Sequence, residues 1–129
     1  MSEPDPQLVE LAHQLFDLAR AGDAARIAAY VDAGTPANLT DAAGNTLLML
    51  AAYHGHAEVV AALVERGADV DALNDRGQSP LAGALFKGED EVVRVLLAAG
   101  ADPEAGAPSA RATAEMFGRS DLLGRDPTG

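Results

Sequence analysis

The stretch that decides the fold is residues 41–73, DAAGNTLLMLAAYHGHAEVVAALVERGADVDAL, because the next 33 residues repeat its pattern. Residues 74–106 read NDRGQSPLAGALFKGEDEVVRVLLAAGADPEAG. Glycines recur with this same period of 33 in three registers: Gly22, Gly55 and Gly88; Gly34, Gly67 and Gly100; Gly44 and Gly77. Three registers that share one period indicate a structural repeat in which each unit stacks on the next.

Each repeat carries the signals of two helices. Thr46 and Ser79 are placed to cap a first helix, and Pro80 suits its first position, where a missing N–H costs nothing. Gly55 predicts a tight reversal of the chain, and Gly67 fits the left-handed residue that ends a second helix. Valines and leucines at helical spacing define that second helix in the two units: Val59, Val60, Leu63 and Val64; Val92, Val93, Leu96 and Leu97.

These residues resemble the ankyrin repeat, whose pattern runs roughly G-x-TPLH-x-AA-x-x-GH-x-x-VV-x-x-LL-x-x-GADVN. Residues 51–56, AAYHGH, and residues 67–70, GADV, follow it almost letter for letter. Two units match well, and degenerate flanking units extend the resemblance over about residues 8–123. The resemblance implies an all-α ankyrin-repeat solenoid, with two full repeats flanked by degenerate N- and C-terminal capping repeats.

The repeat register predicts a single ankyrin-repeat domain at residues 7–123, with disordered segments at 1–6 and 124–129. Its units span about 7–40, 41–73, 74–106 and 107–123. Helices are expected near 7–21, 23–33, 46–54, 56–65, 79–87, 89–99, 109–117 and 119–123, with almost no strand. Gly118 stands only 30 residues after Gly88, which predicts a shortened connection into the last unit.

The composition suits closely packed helices and narrows the function classes. Hydrophobic residues make up 48% of the 129 residues and aromatic residues only 4%, so alanine, leucine and valine dominate the core. The absence of cysteine excludes disulfides, thiolate metal sites and a cysteine nucleophile. The net charge of −11 opposes binding to nucleic acid or to an anionic membrane. It favours a partner protein with a basic surface, although solvation alone is the other interpretation of the charge.

A cytoplasmic location is expected by default, because residues 1–6 contain neither a basic region nor an apolar run. No segment approaches the ~20 apolar residues of a membrane span. A mature exported chain, from which the signal peptide has been removed, would show these same features. The alanine-, glycine- and aspartate-rich usage is compatible with a GC-rich bacterial genome, and small free-standing bacterial ankyrin proteins fit that picture. The oligomeric state is left open.

The resemblance implies that a partner protein binds the concave face, which is made of loop tips and first helices. Tyr53 and Phe86 stand two residues before Gly55 and Gly88, so they occupy equivalent places in successive units. Two neighbouring rings of this kind form the anchors that dominate interfaces. The alternative is that the rings merely cover an alanine-rich groove. The predicted partner-binding residues are Arg20, Asn45, Tyr53, His54, Asp75, Arg76, Gln78, Phe86 and Lys87.

A second candidate surface is an acidic ridge, which consists of Asp69, Asp71, Asp102 and Glu104. These residues follow the second helices at equivalent places, so they are expected to stack along one edge. The resemblance implies that the acid of the GAD triplet is structural. Asp71 and Glu104 replace the asparagine usual in the family, which Asn38 retains, and this substitution leaves like charges in register.

No cofactor, metal ligand or catalytic residue is predicted. His54 and His56 could converge on a metal at a turn, but the resemblance makes His56 structural, and His13 lies in another unit. The acidic run 89–91 begins a second helix, where the helix dipole favours acids, with a partner or calcium role as the alternative. No catalytic motif occurs. A protein-binding adaptor or regulator is therefore expected, with an enzyme or metal-binding protein as the alternative.

Overall fold

The computed structural model describes residues 6–123, and its helices follow the 33-residue period. They are α1 (Pro6–Ala21), α2 (Ala24–Asp32), α3 (Leu47–Tyr53), α4 (Ala57–Glu65), α5 (Pro80–Lys87), α6 (Asp90–Ala98) and α7 (Ala110–Met116). No strand occurs between residues 6 and 123, where one isolated β-bridge joins Thr40 to Thr46. The predicted all-α solenoid is confirmed. The segments expected to be disordered lie outside the described residues, apart from Pro6, which begins α1.

The last predicted helix, near 119–123, is present as a single short helical turn. Ser120–Leu123 forms a 3₁₀-helix instead of an α-helix. The segment has only four residues, and a stretch this short gains little from α-helical hydrogen bonds, whereas a single 3₁₀ turn is common in short pieces.

The helices form two layers. The first helices α1, α3, α5 and α7 pack side by side in one layer, and α2, α4 and α6 form the other, with the 3₁₀-helix beside α6. Each first helix also packs against the second helix of its own unit. No helix between residues 6 and 123 has the length and apolar character required to cross a membrane.

Hydroxyl side chains start the first helices of three units. Thr46, Ser79 and Ser109 accept hydrogen bonds from backbone N–H groups three residues later, at 3.0, 3.1 and 3.1 Å. The caps predicted at Thr46 and Ser79 are therefore confirmed. His56 and Glu89 precede the second helices α4 and α6 as N-cap residues but form no side-chain cap, because these two side chains reach toward the preceding unit instead.

The core lies between the two layers. The leucines and valines predicted to face inward are completely or almost completely buried at Leu48, Val59, Leu63, Val92 and Leu96. The small side chains of the first helices let their axes approach each other. Burial increases along α1 from its first turn toward its middle. Leu15 is fully buried there, whereas Leu8 is 64% exposed.

Candidate functional site

A groove of about 570 Å³ runs between the loop tips and the first helices. Loops contribute one wall and the exposed ends of α3 and α5 contribute the other. The groove brings together seven of the nine residues predicted to bind a partner: Asn45, Tyr53, His54, Asp75, Arg76, Gln78 and Phe86. It also contains Ala43, Met49, Leu50 and Asn74, which the sequence interpretation missed.

The other two predicted residues lie at the margins of this groove. The Lys87 ammonium lies 5.0 Å from the centroid of the Tyr53 ring, so Lys87 covers a ring that lines the groove. Arg20 lines a neighbouring groove of about 470 Å³, which shares Ala43 with the first. In that position its guanidinium pairs with Asp17 at 3.0 Å.

The floor of the groove depends on a glycine within a helix. Gly83 lies in the middle of α5, and a Cβ atom there would stand 3.0 Å from the Met49 methyl group and 3.6 Å from the Tyr53 ring. Glycine costs a helix interior about 1 kcal/mol relative to alanine. In return it lets Met49 and Tyr53 from the preceding unit pack directly against the backbone of α5.

Exposed aromatic rings continue beyond the groove into the last unit. Phe86 is 53% exposed, and its ring meets that of Phe117 edge to face, with centroids 5.5 Å apart. Phe117 is itself 47% exposed. We call Tyr53, Phe86 and Phe117 the aromatic strip. Phe117 precedes Gly118 as His54 precedes Gly55, a signal that was available in the sequence but was obscured by the shortened connection.

An amide network builds the polar wall of the groove. The Asn74 amide nitrogen donates to Asn45 Oδ1 at 2.9 Å and to Gln78 Oε1 at 3.1 Å. The Asn74 oxygen accepts from the backbone N–H groups of Arg76 and Gln78. Asn45 and Gln78 therefore shape the wall as well as line it. The exposed Asp75 and Arg76 side chains lie at the loop tip beyond them.

Burial and neighbouring basic side chains both act on His54 at the edge of the groove. Partial burial lowers the pKa of His54 below its usual value, and the neighbouring His56, Arg20 and Lys87 lower this pKa further. His56 has a structural contact, since its Nε2 lies 2.6 Å from the Arg20 carbonyl oxygen, to which the ring N–H donates. Between residues 6 and 123, no three histidine, aspartate or glutamate side chains cluster closely enough to hold a metal ion.

The acidic ridge links successive units through the backbone. The Asn38 side chain accepts from the Asp69 N–H at 2.8 Å, and Asp71 Oδ1 accepts from the Asp102 N–H at 2.9 Å. The carboxylate of Glu104 pairs with Arg111. These residues therefore shape and connect the loops, which gives each of them a structural role.

The acidic run 89–91 also has contacts within the fold. Glu91 pairs with Arg94 at 3.1 Å and Asp90 pairs with Arg119. The Glu89 carboxylate lies against Gly55 in the preceding unit.

Comparison with known proteins agrees with this architecture. A family model described as ankyrin repeats, in three copies, matches residues 15–107, which is more than half of the chain. A curated protein of Pseudomonas aeruginosa (strain PAO1) that is named for ankyrin repeats is 51% identical over 55 residues, which cover 43% of this chain. The match spans only 32% of that relative's length. The chain thus belongs to the ankyrin repeat family, whose repeats generally mediate binding between proteins.

Proposed function

We propose that this chain is a non-enzymatic adaptor or regulator that holds a partner protein in its concave groove. The observation that supports this most is the exposed ring of Phe86, which lines the groove together with the half-buried ring of Tyr53. Phe86 is 53% exposed, although the preceding residue, Leu85, is almost fully buried. Exposed rings that line a groove, and that the stacking core does not need, are typical of interaction sites.

The physical chemistry of the groove suits a protein segment. Met49, Leu50, Tyr53 and Phe86 supply apolar area, and the amide network supplies hydrogen-bonding groups at one wall. Aromatic side chains lose little conformational entropy on binding, because two χ angles fix a large contact area. A partner side chain that covers the Tyr53 and Phe86 rings would gain most of its affinity there.

The charge of the chain supports a partner protein over nucleic acid or an anionic membrane. The net charge of −11 repels phosphates, and it attracts a basic surface during approach. Cell fractionation would test the cytoplasmic location expected from the sequence.

The test of this function replaces Tyr53 and Phe86 together with alanine. The partner is the protein that co-purifies with the full chain and that binds it again when both are purified. The double variant should weaken this binding by ~2 kcal/mol or more, which is roughly thirtyfold in Kd, measured by calorimetry. Leu73→Ala is the control, since Leu73 is 47% exposed and lies outside the groove.

The melting temperature separates loss of binding from loss of folding. We expect it to change little in the double variant. Tyr53 packs against Gly83, so Phe86→Ala alone provides a second variant if the double variant unfolds. Undiminished binding by a folded Phe86→Ala or double variant would contradict binding in the groove, and the acidic ridge would then be the next surface to test.

A further inference from the structure

The cations of this chain are distributed unevenly between its surfaces. The sequence has nine lysines and arginines, and Arg125 lies outside the described residues. Six of the other eight pair with carboxylates: Arg20, Arg26, Arg66, Arg94, Arg111 and Arg119. Arg76 and Lys87 form no ion pair with any residue between 6 and 123, and both lie at the groove.

The surroundings of these two cations leave them accessible. Arg76 is exposed at the loop tip, and Lys87 is exposed at the end of α5. The Lys87 ammonium contacts the face of the Tyr53 ring, a contact that leaves its N–H groups available to an acceptor. The helix dipole also favours a cation where Lys87 stands, which accounts for its position but does not neutralise its charge.

One carboxylate belongs to the same groove. Asp75 lies next to Arg76 in the chain, but its carboxylate is directed against Gly44, and the two side chains form no ion pair within the described part of the chain. At this groove the two unpaired cations, Arg76 and Lys87, outnumber the one acid, Asp75. The chain as a whole has a net charge of −11. This local reversal of sign is unlike the rest of the described surface, where each other cation has an acidic neighbour.

We propose that the groove binds an acidic segment of the partner protein. An apolar side chain of that segment packs against Tyr53 and Phe86, and acidic side chains near it are bound by Arg76 at the loop tip and by Lys87 at the end of α5. This inference rests on the proposed function, because it specifies the chemistry of the segment that the groove receives.

The attraction of a basic partner surface and the binding of an acidic segment act at different distances. The net charge acts while the partner approaches, and salt screens it beyond about 8 Å at physiological ionic strength. Arg76 and Lys87 act in contact, where charge-assisted hydrogen bonds form. A partner that has a basic surface and also an acidic segment with apolar residues is compatible with both the long-range attraction and the binding in the groove.

The experiment selects a phage-displayed library of random twelve-residue peptides on the immobilised full chain. We expect the enriched peptides to carry aspartate or glutamate within a few residues of leucine, isoleucine or phenylalanine. A synthetic copy of the most enriched peptide is then titrated against the chain by fluorescence anisotropy. The double variant R76Q/K87Q should weaken its binding about tenfold or more.

A matched variant controls for the loss of charge itself. R26Q/R94Q also removes two cations, from exposed ion pairs on α2 and α6 away from the groove, so it should change the affinity less than about twofold. Melting temperatures of both variants are measured in parallel, and we expect neither to fall appreciably, because all four side chains are exposed.

The possible outcomes separate this inference from the proposed function. The enriched peptides could be basic or uncharged and lose binding in the Tyr53→Ala, Phe86→Ala double variant. That result would overturn the inference of an acidic segment but would leave the groove as the binding site. Equal losses in R76Q/K87Q and R26Q/R94Q would also overturn it. Peptides that bind the Tyr53→Ala, Phe86→Ala double variant undiminished would count against both the proposed function and the acidic segment. The absence of enrichment over the unselected library would also count against both of these proposals.

Discussion

At the scale of single residues, Leu63 and Leu96 show how the stack depends on burial. They occupy equivalent positions in α4 and α6 and are both completely buried. Replacing either by alanine removes buried methyl groups and leaves a cavity between packed helices, so we expect a loss of roughly 2–5 kcal/mol in the free energy of unfolding. Urea denaturation followed by circular dichroism measures this loss.

The control for this prediction is the same substitution at an exposed site. Leu73 is 47% exposed, so Leu73→Ala should change the free energy of unfolding by less than ~0.5 kcal/mol. Similar losses at positions 63 and 73 would show that burial between the second helices is not what stabilises the stack.

Two glycines with the same backbone conformation allow strain and crowding to be separated. Gly22 and Gly67 have φ angles of +86° and +85°. A Cβ at Gly67 would meet nothing within 4 Å, whereas one at Gly22 would stand 2.6 Å from Nδ1 of the His56 ring. Gly67→Ala should therefore cost ~1–2 kcal/mol through backbone strain alone. Gly22→Ala should cost about 1 kcal/mol more, because it displaces the ring from its hydrogen bond.

A double-mutant cycle tests that cause. In a His56→Ala background the crowding disappears, so Gly22→Ala should cost no more than Gly67→Ala does. Urea denaturation of the four chains of the cycle and of Gly67→Ala gives the comparison. If the extra cost at Gly22 persisted without the His56 ring, another contact would have to account for it.

At the scale of helices and loops, most of the architecture was predictable from local signals. The bounds of α1 to α7 lie within one residue of the predicted ones, because caps such as Thr46 and glycines such as Gly55 mark helix ends in the sequence itself. The groove followed from the same register. Gly83 shows what could not be predicted, since its role depends on Met49 and Tyr53 in the preceding unit, and a local pattern contains no information on which side chain lies opposite.

The acidic ridge illustrates the same limit. The sequence predicted like charges in register, but their acceptor role depends on the distance between loops of successive units. The Asp71 carboxylate accepts the backbone N–H of Asp102 at 2.9 Å, as the Asn38 amide oxygen accepts that of Asp69 at 2.8 Å. Two side chains of different charge thus make the same bond.

This equivalence predicts different outcomes for two substitutions of Asp71. Asp71→Asn keeps the acceptor and removes a charge, so we expect the free energy of unfolding to stay within ~0.5 kcal/mol of the original. Asp71→Ala removes the acceptor that joins two loops and should cost about 1 kcal/mol. Thermal and urea denaturation measure both. An asparagine variant as unstable as the alanine variant would mean that the charge, not the acceptor, stabilises the ridge.

At the scale of the whole molecule, stability is a sum of contacts between neighbours. Units 41–73 and 74–106 each have a neighbouring unit on both sides, whereas the first unit, which contains α1, and the last unit, which contains the 3₁₀-helix, each have a neighbour on one side. In such an array each unit is stabilised by its own helices and by the interfaces it forms, so a unit with two interfaces opens less often. The groove lies on the two inner units, which this argument expects to open least, and walls that open rarely would lower the entropic cost of binding.

Native-state hydrogen exchange should reveal this gradient. Opening an inner unit breaks two interfaces, so we expect the slowest amide exchange in α3 to α6. The first turn of α1 and the 3₁₀-helix should exchange fastest, because Leu8 is 64% exposed and no residue of Ser120–Leu123 is fully buried. The exchange rates are read residue by residue by NMR in mild urea. Equal protection from α1 to α7 would indicate that the chain opens only as a whole. Slower exchange in α1 than in α5 would contradict the additive stack, because α5 packs between α3 and α7 whereas α1 packs against α3 alone within its layer.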